Sequence, residues 1–213
     1  MSLDKKNANL TIRCFGIVEA PLPFEEHMDI YECFELFNSL INKKFVLHIE
    51  DGSVLEFSFT KANLKHFLGL QKLSDIKLLE RKPQVIYNLI ADKTITNKLI
   101  SKSIYYNKIE DRLLYFYLIP KLLQSKIIIE FDSSLCSFRD AYSTKLENTD
   151  YILYKNMLEI DVVAHLTLSI INTTKERTLC YPETFFVEHS KRYISGQKLL
   201  NILSVEVIDH KKK

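Results

Sequence analysis

KFVLHIEDGSVLEFSFT, residues 44–60, contains two runs of alternating side chains separated by a turn signal. One apolar set recurs at every second residue of these runs: Phe45, Leu47, Ile49, Leu55, Phe57 and Phe59. Between the runs, Asp51-Gly52 supplies the positive φ angles that a tight hairpin turn requires. The stretch therefore predicts a β-hairpin with one buried face.

The residues before this hairpin are typical of an amphipathic helix. Four apolar residues recur at helical spacing: Ile30, Phe34, Phe37 and Ile41. Glu25 and Glu26 suit the positive N-terminal end of that helix, and Lys43 and Lys44 suit its negative C-terminal end. We predict a helix that begins near Glu25, preceded by an N-terminal extension over residues 1–24.

TKANLKHFLGL, residues 60–70, predicts a short helix after the hairpin. Thr60 is a candidate N-cap and Gly69 a candidate C-terminal stop. Helical geometry places the apolar residues of this segment on one side and His66 on the other, with Ala62 and Asn63. Packing against the core does not account for a histidine at position 66, which makes it a candidate site residue. A histidine on the exposed side of a helix is, however, more often only solvated.

Three further helices are predicted between residues 83 and 123. Pro83 suits the first turn of one helix, and Thr96 can cap another that runs through Ile100 and Ile104. The segment KIEDRLLYFYLIPKLL, residues 108–123, predicts a third, which Pro120 bends or ends. These helices form a compact block.

From Ile127 the pattern changes to strands, interrupted by a long loop over residues 132–149. The strand segments are IIIEF, DYILY, the alternating run 164–170, TLCY, TFFVEH and ILSVEVI. The predicted fold class is α+β: an N-terminal helix and β-hairpin, a helical block, and then an antiparallel β-sheet packed against the helices. Residues 25–208 form a single domain, and residues 209–213 form a basic tail.

Composition narrows the classes of partner. The 213 residues carry 29 basic and 27 acidic side chains, a net charge of +2, so any polyanion site is a local patch. No stretch has the roughly 20 apolar residues of a membrane span. Cys14, Cys33, Cys136 and Cys180 are widely spaced, which indicates reduced core cysteines. We expect a cytoplasmic protein, bacterial or phage-encoded, without a membrane contact.

The common cofactor and metal motifs are absent from the sequence. There is no G-x-G-x-x-G, no G-x-x-x-x-G-K-[ST], no G-x-S-x-G and no H-E-x-x-H. The six histidines lack metal-ligand spacing. We expect neither a cofactor nor a metal.

The remaining candidates are polar residues suited to acid–base chemistry. They are His66, the strand residues His165, Thr167 and Ser169, and Thr184 with Tyr181 nearby. A histidine can transfer a proton near neutral pH, and a cation such as Arg112 or Lys102 can stabilise a phosphate. Simpler interpretations stay open: His165 faces solvent, Arg112 forms a salt bridge with Glu110 or with another segment of the chain, and the lysines provide only solubility.

Six segments in order carry a family resemblance: FSFT, ANLKHFLGLQKLSDI, SKSIYYNKIEDRLLYF, DYILY, YPETFF and KRYISGQKLLNIL. Residues 25–208 resemble the phage-associated domains of the barnase, EndoU, colicin E5/D and RelE-like nuclease superfamily, in particular its fourth phage-borne class. The resemblance implies helices packed on an antiparallel sheet, and a metal-independent ribonuclease with its site on the open sheet face or its edge.

The resemblance also implies roles for particular residues. His66 and Gly69 match one element of the family, with Phe67 where leucine is more usual. Arg112 matches the arginine of a helix, and Thr184 stands where serine is more usual. His66 is thereby the general acid or base, Arg112 stabilises the transition state and Thr184 bonds a phosphate oxygen. The expected substrate-binding residues are Lys102, His165, Tyr181, Tyr193 and Gln197.

The implied reaction is attack by the RNA 2′-hydroxyl, which leaves a 2′,3′-cyclic phosphate. The implied biology is a toxin or effector of a phage or mobile element, acting on RNA such as tRNA and restrained by an antitoxin or immunity protein. The alternatives are a catalytically inactive RNA- or protein-binding module, and a structural phage protein that oligomerises through exposed aromatic residues. The sequence does not define the oligomeric state.

Overall fold

The computed structural model describes residues 28–136 and 146–209. The helices of this part are α1 Ile30–Leu40, α2 Asn63–Phe67, α3 Pro83–Ala91, α4 Asn97–Ile100, α5 Glu110–Leu114 and α6 Ile119–Leu122. Its strands are β1 Lys43–Ile49, β2 Val54–Ser58, β3 Ile127–Glu130, β4 Tyr151–Met157, β5 Val162–Thr173, β6 Thr178–Glu188 and β7 Lys198–Asp209.

Helix α1 begins directly after Asp29, which forms a reciprocal cap with Glu32. The carboxylate of Asp29 accepts from the backbone N–H of Glu32 at 2.7 Å, and the carboxylate of Glu32 accepts from the backbone N–H of Asp29 at 2.7 Å. The predicted start at Glu25 lies outside the described residues. Lys43 and Lys44 belong to β1 and not to the helix end, because α1 ends at Leu40 and the chain turns at Asn42, whose φ angle is 70°.

The β1–β2 hairpin is confirmed, and it also closes the sheet. Phe45 pairs with Phe57 within the hairpin, and β1 pairs on its other side with β7, where Phe45 lies opposite Val207. Strand β2 pairs in parallel with β6 through Leu55 and Thr178. The strand order β1-β2-β6-β5-β4-β3-β7 is a closed barrel.

The predicted fold class is therefore right in its mixed content and wrong in its architecture. The prediction is an N-terminal helix and hairpin, a helical block and then an antiparallel sheet packed against helices, whereas the sheet is a closed barrel of seven strands that includes both hairpin strands. Strand β7 makes this possible because its 12 residues are long enough to pair with β3 at one end and β1 at the other. Such pairing depends on contacts between distant residues, which alternation within one strand does not encode.

The segments TLCY and TFFVEH form one strand, β6, and not two. Pro182 lies inside this strand opposite Leu168, next to an irregularity in the β5–β6 register after Thr167. A bulge tolerates a proline because it already interrupts the ladder of hydrogen bonds. The strand therefore continues through a residue that usually ends one.

The helical block follows its local signals only in part. Pro83 begins α3 and the side chain of Thr96 caps α4, as predicted. Helix α4 ends at Ile100, and the side chain of Ile104 is 77% exposed. Pro120 lies in the first turn of α6 and does not end a longer helix. Within the described residues, no helix combines the length and the apolar character needed to cross a bilayer.

Apolar clusters lie on both faces of the sheet. The larger cluster joins the helices to the hairpin and to β5 and β6, and its largest fully buried side chains are Phe37, Phe57, Phe67, Phe116 and Phe185. The smaller cluster consists of Ile129, Phe131, Cys136, Leu146, Ile152, Phe186 and Tyr193. Cys33, Cys136 and Cys180 are buried and free, as predicted, and Cys14 lies outside the described residues. Helices α2 and α5 pack against β6 and bring their polar residues to this strand.

Candidate active site

Arg112 of α5 turns inward and fastens three segments together. Its side chain is 3% exposed, and its Nη1 atom donates to the carbonyl oxygen of His66 at 3.0 Å, to Oγ1 of Thr184 at 2.8 Å and to the carbonyl oxygen of Phe185. No ion pair with Glu110 or another carboxylate is found for Arg112 in residues 28–136 and 146–209. Burial lowers the pKa of Arg112 to about 10, and Tyr193 opposes part of that change.

Gly69 allows the chain to pass against this arginine. Its φ angle is 72°, a left-handed conformation that glycine adopts without strain. A Cβ atom built on Gly69 would lie 2.9 Å from Cδ of Arg112 and 2.9 Å from Cγ2 of Ile109. The glycine of the predicted helix stop is therefore also required by the position of Arg112.

His66 is exposed, and its backbone carbonyl oxygen is the atom that bonds the buried Arg112. The pKa of His66 is nevertheless lowered, first by the partial desolvation that its neighbours impose, then by the positive charges of Lys65 and Arg112, while Glu183 acts in the opposite direction. The prediction that His66 is free of the core is confirmed. Its neutral form, which can accept a proton, is therefore favoured at neutral pH.

Asn63 differs from its prediction, because it is fully buried and does not share the exposed side of His66. Its Nδ2 atom donates to the carbonyl oxygen of Pro182 at 2.6 Å, and its Oδ1 atom accepts from the hydroxyl of Thr60 at 2.8 Å. Thr60 therefore does not cap α2, whose N-cap is Ala62 without a side-chain bond. The amide of Asn63 instead attaches α2 to β6.

Thr184 of β6 completes the junction. Its hydroxyl accepts from Arg112, and its backbone N–H donates to the hydroxyl of Thr167 at 3.2 Å. Strand β6 thus brings Thr184 to α2 and α5, and the three predicted catalytic residues His66, Arg112 and Thr184 meet at one place. Their convergence was not readable from spacing, since 72 positions separate Arg112 from Thr184.

His165 of β5 is buried and does not face solvent. It is 0% exposed, and its Nε2 atom lies 3.0 Å from Oε1 of Glu188. Its ring stacks on Phe186 with a centroid distance of 4.7 Å and meets Tyr193 edge-on at 5.9 Å. Desolvation lowers the pKa of His165 and Glu188 partly offsets this effect, so the imidazole is held neutral.

The other predicted substrate-binding residues have different surroundings. Tyr193 is 3% exposed and Gln197 is 8% exposed, and the Gln197 amide bonds both the N–H and the carbonyl oxygen of Asp132, at 2.8 and 2.9 Å. Tyr181 is half-buried on β6. Lys102 is exposed after α4, and among the described residues no hydrogen bond or ion pair joins it to the junction.

Lys72 is a neighbour of the junction that the sequence analysis missed. Its pKa is lowered to about 8, first by burial and then by the positive charges of Arg112 and Lys108. The available signal was its place three residues after Gly69, in the 3-10 turn Leu70–Lys72 that follows α2. Asn63 and Glu188 were also missed; the signal for Asn63 was its spacing from Thr60.

This arrangement provides a proton acceptor, a buried cation and a hydroxyl at one junction. Within the described residues, no group of three or more His, Cys, Asp or Glu side chains is placed to hold a metal ion. The imidazole of His66 can transfer a proton, and the guanidinium of Arg112 can stabilise an anion electrostatically.

Comparison with known proteins supports the family resemblance that the order of the sequence segments indicates. A family model described as phage-Barnase-EndoU-ColicinE5/D-RelE like nuclease 4 matches residues 29–213. Searches of curated proteins and of solved structures give no match. Because the family model covers most of the chain, the protein belongs to the phage-Barnase-EndoU-ColicinE5/D-RelE like nuclease 4 family.

Proposed function

We propose that the protein is a ribonuclease that cleaves RNA through attack of the 2′-hydroxyl on the adjacent phosphate. The observation that carries the proposal is the meeting of His66, Arg112 and Thr184 where α2 and α5 pack on β6. Membership of a nuclease family supports a nucleic acid as substrate. An exposed imidazole with a lowered pKa supports a general base that is neutral before the reaction.

In this reaction His66 takes the proton of the 2′-hydroxyl while O2′ forms a bond to phosphorus. The bond from phosphorus to the 5′-oxygen of the next nucleotide breaks, and that oxygen takes a proton from solvent water as it leaves. His66 afterwards returns its proton to the solvent. The products are a 2′,3′-cyclic phosphate and a 5′-hydroxyl. No oxidant, reductant or group donor is required.

Arg112 and Thr184 stabilise the charge that develops on the phosphate. In residues 28–136 and 146–209, Nε and Nη2 of Arg112 make no hydrogen bond, whereas Nη1 makes three. The positive charge of Arg112 is not neutralised by a carboxylate partner in the same residues. A cation held in a site of low polarity acts strongly on a nearby anion.

The predicted substrate-binding residues divide into two groups in this proposal. Tyr181 and Lys102 retain exposed atoms and contact RNA, Lys102 at a distance from the junction. His165, Tyr193 and Gln197 are buried and hold β6 and the segment after it in position. The net charge of +2 leads us to expect few phosphate contacts and weak, salt-sensitive binding.

A catalytically inactive binding module is the second candidate, and one observation favours it. All three acceptors of Arg112 Nη1 belong to the protein, so Arg112 also serves to hold the fold together. A role as a phage or mobile-element toxin in the cytoplasm, tRNA as its target and an antitoxin or immunity partner are extensions of the ribonuclease proposal.

The test compares cleavage of labelled tRNA and unstructured RNA by three proteins at low salt in EDTA. They are the native chain, His66→Ala and His48→Ala. His48 is the matched control because its side chain is also partly exposed but lies on β1, where it contacts Glu206. We expect His66→Ala to lose about 100-fold or more in rate and His48→Ala to cleave like the native chain.

The outcomes separate the two candidates. RNA that is bound but not cut by the native protein would favour the binding module. Equal cleavage by His66→Ala and the native protein, with both folded by circular dichroism, would remove His66 from the mechanism.

A further inference from the structure

Asn63 joins α2 to β6 through an amide that has a single orientation. The side chain is 0% exposed. Its Oδ1 atom accepts from the backbone N–H of Thr60 at 2.7 Å and from the Thr60 hydroxyl at 2.8 Å, and its Nδ2 atom donates to the carbonyl oxygen of Pro182 at 2.6 Å. A backbone N–H can only donate and a carbonyl oxygen can only accept, so a reversed amide would lose bonds on both sides.

A second link joins the same two elements close to the first. The carbonyl oxygen of His66 accepts from Arg112 at 3.0 Å and from the Thr184 hydroxyl at 3.4 Å. Along α2, His66 follows Asn63 by three residues, which is about 4.5 Å of helix. Along β6, Thr184 follows Pro182 by two residues, which is about 7 Å of strand. Helix α2 is therefore held to β6 at two points.

The link through Asn63 restricts the rotation of α2, which has only five residues, Asn63–Phe67. Leu64 and Phe67 hold this helix against the core, but apolar contacts are non-directional. A helix with one hydrogen-bonded link can turn about that link, whereas a second link prevents the turn. The direction of the His66 side chain therefore depends on Asn63.

We propose that Asn63 is a positioning residue, which keeps the imidazole of His66 in line with the phosphate bound by Arg112 and Thr184. The inference rests on the proposed function for the reaction itself. Asn63 does not contact the RNA, because it is fully buried, and it acts through His66. A displacement of the base by about 1 Å can lower the rate about 100-fold.

The test compares the kinetics of RNA cleavage in Asn63→Ala and Asn97→Ala. Asn97 is the matched control because its Oδ1 atom also accepts from a backbone N–H, that of Ile30 at 2.8 Å, but joins α4 to α1. We expect Asn63→Ala to lower kcat by about 10- to 100-fold and to keep the native KM. Asn97→Ala keeps the native kcat. A native kcat in folded Asn63→Ala, or an equal loss in Asn97→Ala, would overturn the proposal.

Thr60 provides a milder pair of variants, which decides the question if Asn63→Ala does not fold. Thr60→Val has nearly the native shape but removes one of the two donors to Oδ1 of Asn63. Thr60→Ser keeps that hydroxyl. We expect kcat to fall several-fold in Thr60→Val and to return to the native value in Thr60→Ser. Equal kcat values in the two variants would contradict the positioning role.

The NMR titration of His66 reports its position without any cleavage. The positive charge of Arg112 contributes to the lowered pKa of His66. If α2 turns in Asn63→Ala, the imidazole moves away from this charge and the titration midpoint rises toward that of an ordinary histidine. Asn97→Ala keeps the native midpoint. An unchanged midpoint in folded Asn63→Ala would show that Asn63 does not position His66.

Failure of this inference and failure of the proposed function give different results. If the native protein does not cut RNA but the His66 midpoint rises in Asn63→Ala, the ribonuclease proposal fails and the positioning of His66 by Asn63 stands. If the native protein cuts RNA and folded Asn63→Ala keeps the native kcat and the native midpoint, the positioning role fails and the ribonuclease proposal stands.

Discussion

Arg112 combines a structural role with a proposed catalytic one, and its structural role can be measured separately. Arg112→Met keeps an apolar stem but leaves the acceptors on His66, Thr184 and Phe185 without their donor. We expect the free energy of unfolding to fall by about 2–4 kcal/mol, since buried acceptors lose a charged partner. Urea denaturation measures this loss.

Arg177→Met is the control for Arg112→Met. The side chain of Arg177 is 55% exposed and pairs with Glu56, so its removal costs less than about 1 kcal/mol. Equal losses in the two variants would show that Arg112 does not fasten the junction.

We expect the pKa of His66 to be lower than that of an ordinary histidine. The protonated imidazolium is disfavoured by partial desolvation and by Lys65 and Arg112, so the NMR titration midpoint of His66 lies below about 6.5. Glu183→Gln removes the carboxylate that favours protonation and moves the midpoint lower still.

This shift sets the pH dependence of the proposed reaction. A general base works when deprotonated, so activity falls as pH drops through the His66 midpoint and is retained near neutral pH. A midpoint above 6.5, or an upward shift in Glu183→Gln, would contradict the electrostatic account of His66.

At the scale of the element, Gly69 links α2 to the 3-10 turn that follows it. Gly52 in the hairpin turn serves as a comparison for the cost of replacing Gly69. Gly69 and Gly52 both have positive φ angles, 72° and 87°, but only Gly69 has atoms within 4 Å of a built Cβ. We expect Gly52→Ala to cost about 1 kcal/mol from backbone strain alone. Gly69→Ala costs more because Arg112 and Ile109 must also move. Equal costs, measured by urea denaturation, would show that the close approach is unimportant.

Local signals predicted those elements whose ends are determined locally. The Asp51-Gly52 turn, Pro83 at the start of α3 and the Thr96 cap act within a few residues, and all three are confirmed. The role of Asn63 was not predictable because its partner, Pro182, lies 119 positions away. The passage of β6 through Pro182 likewise depends on the register of β5.

The candidate site was predictable to a similar degree. Spacing showed only that His66 is free of the core, and the family resemblance placed Arg112 and Thr184 with it. Lys72 was not predicted as a neighbour of the site because Arg112 and Lys108 come from a later part of the chain. The burial of His165 was missed because both faces of this part of β5 are covered, which an alternating pattern does not reveal.

At the scale of the whole molecule, closure of the barrel joins the first strand of the described chain, β1, to the last, β7. Because β1 pairs with β7 as well as β2, we expect amides of β1 and β7 to exchange as slowly as those of β5 and β6. Amides in the exposed turn 174–177 exchange faster and serve as an internal control. Hydrogen exchange followed by mass spectrometry or NMR tests this. Faster exchange of β1 and β2 as a separate unit would show that the hairpin does not stabilise the sheet.

The central claim is that an RNA 2′-hydroxyl attacks its own phosphate with His66 as the base. The most direct measurement uses a DNA oligonucleotide with a single ribonucleotide, incubated with the native protein in EDTA and analysed by mass spectrometry. The account predicts one cut, directly 3′ of the ribonucleotide, with a 2′,3′-cyclic phosphate on one product and a 5′-hydroxyl on the other. Cleavage of the all-deoxy oligonucleotide, or products with 3′-hydroxyl and 5′-phosphate ends, would contradict it.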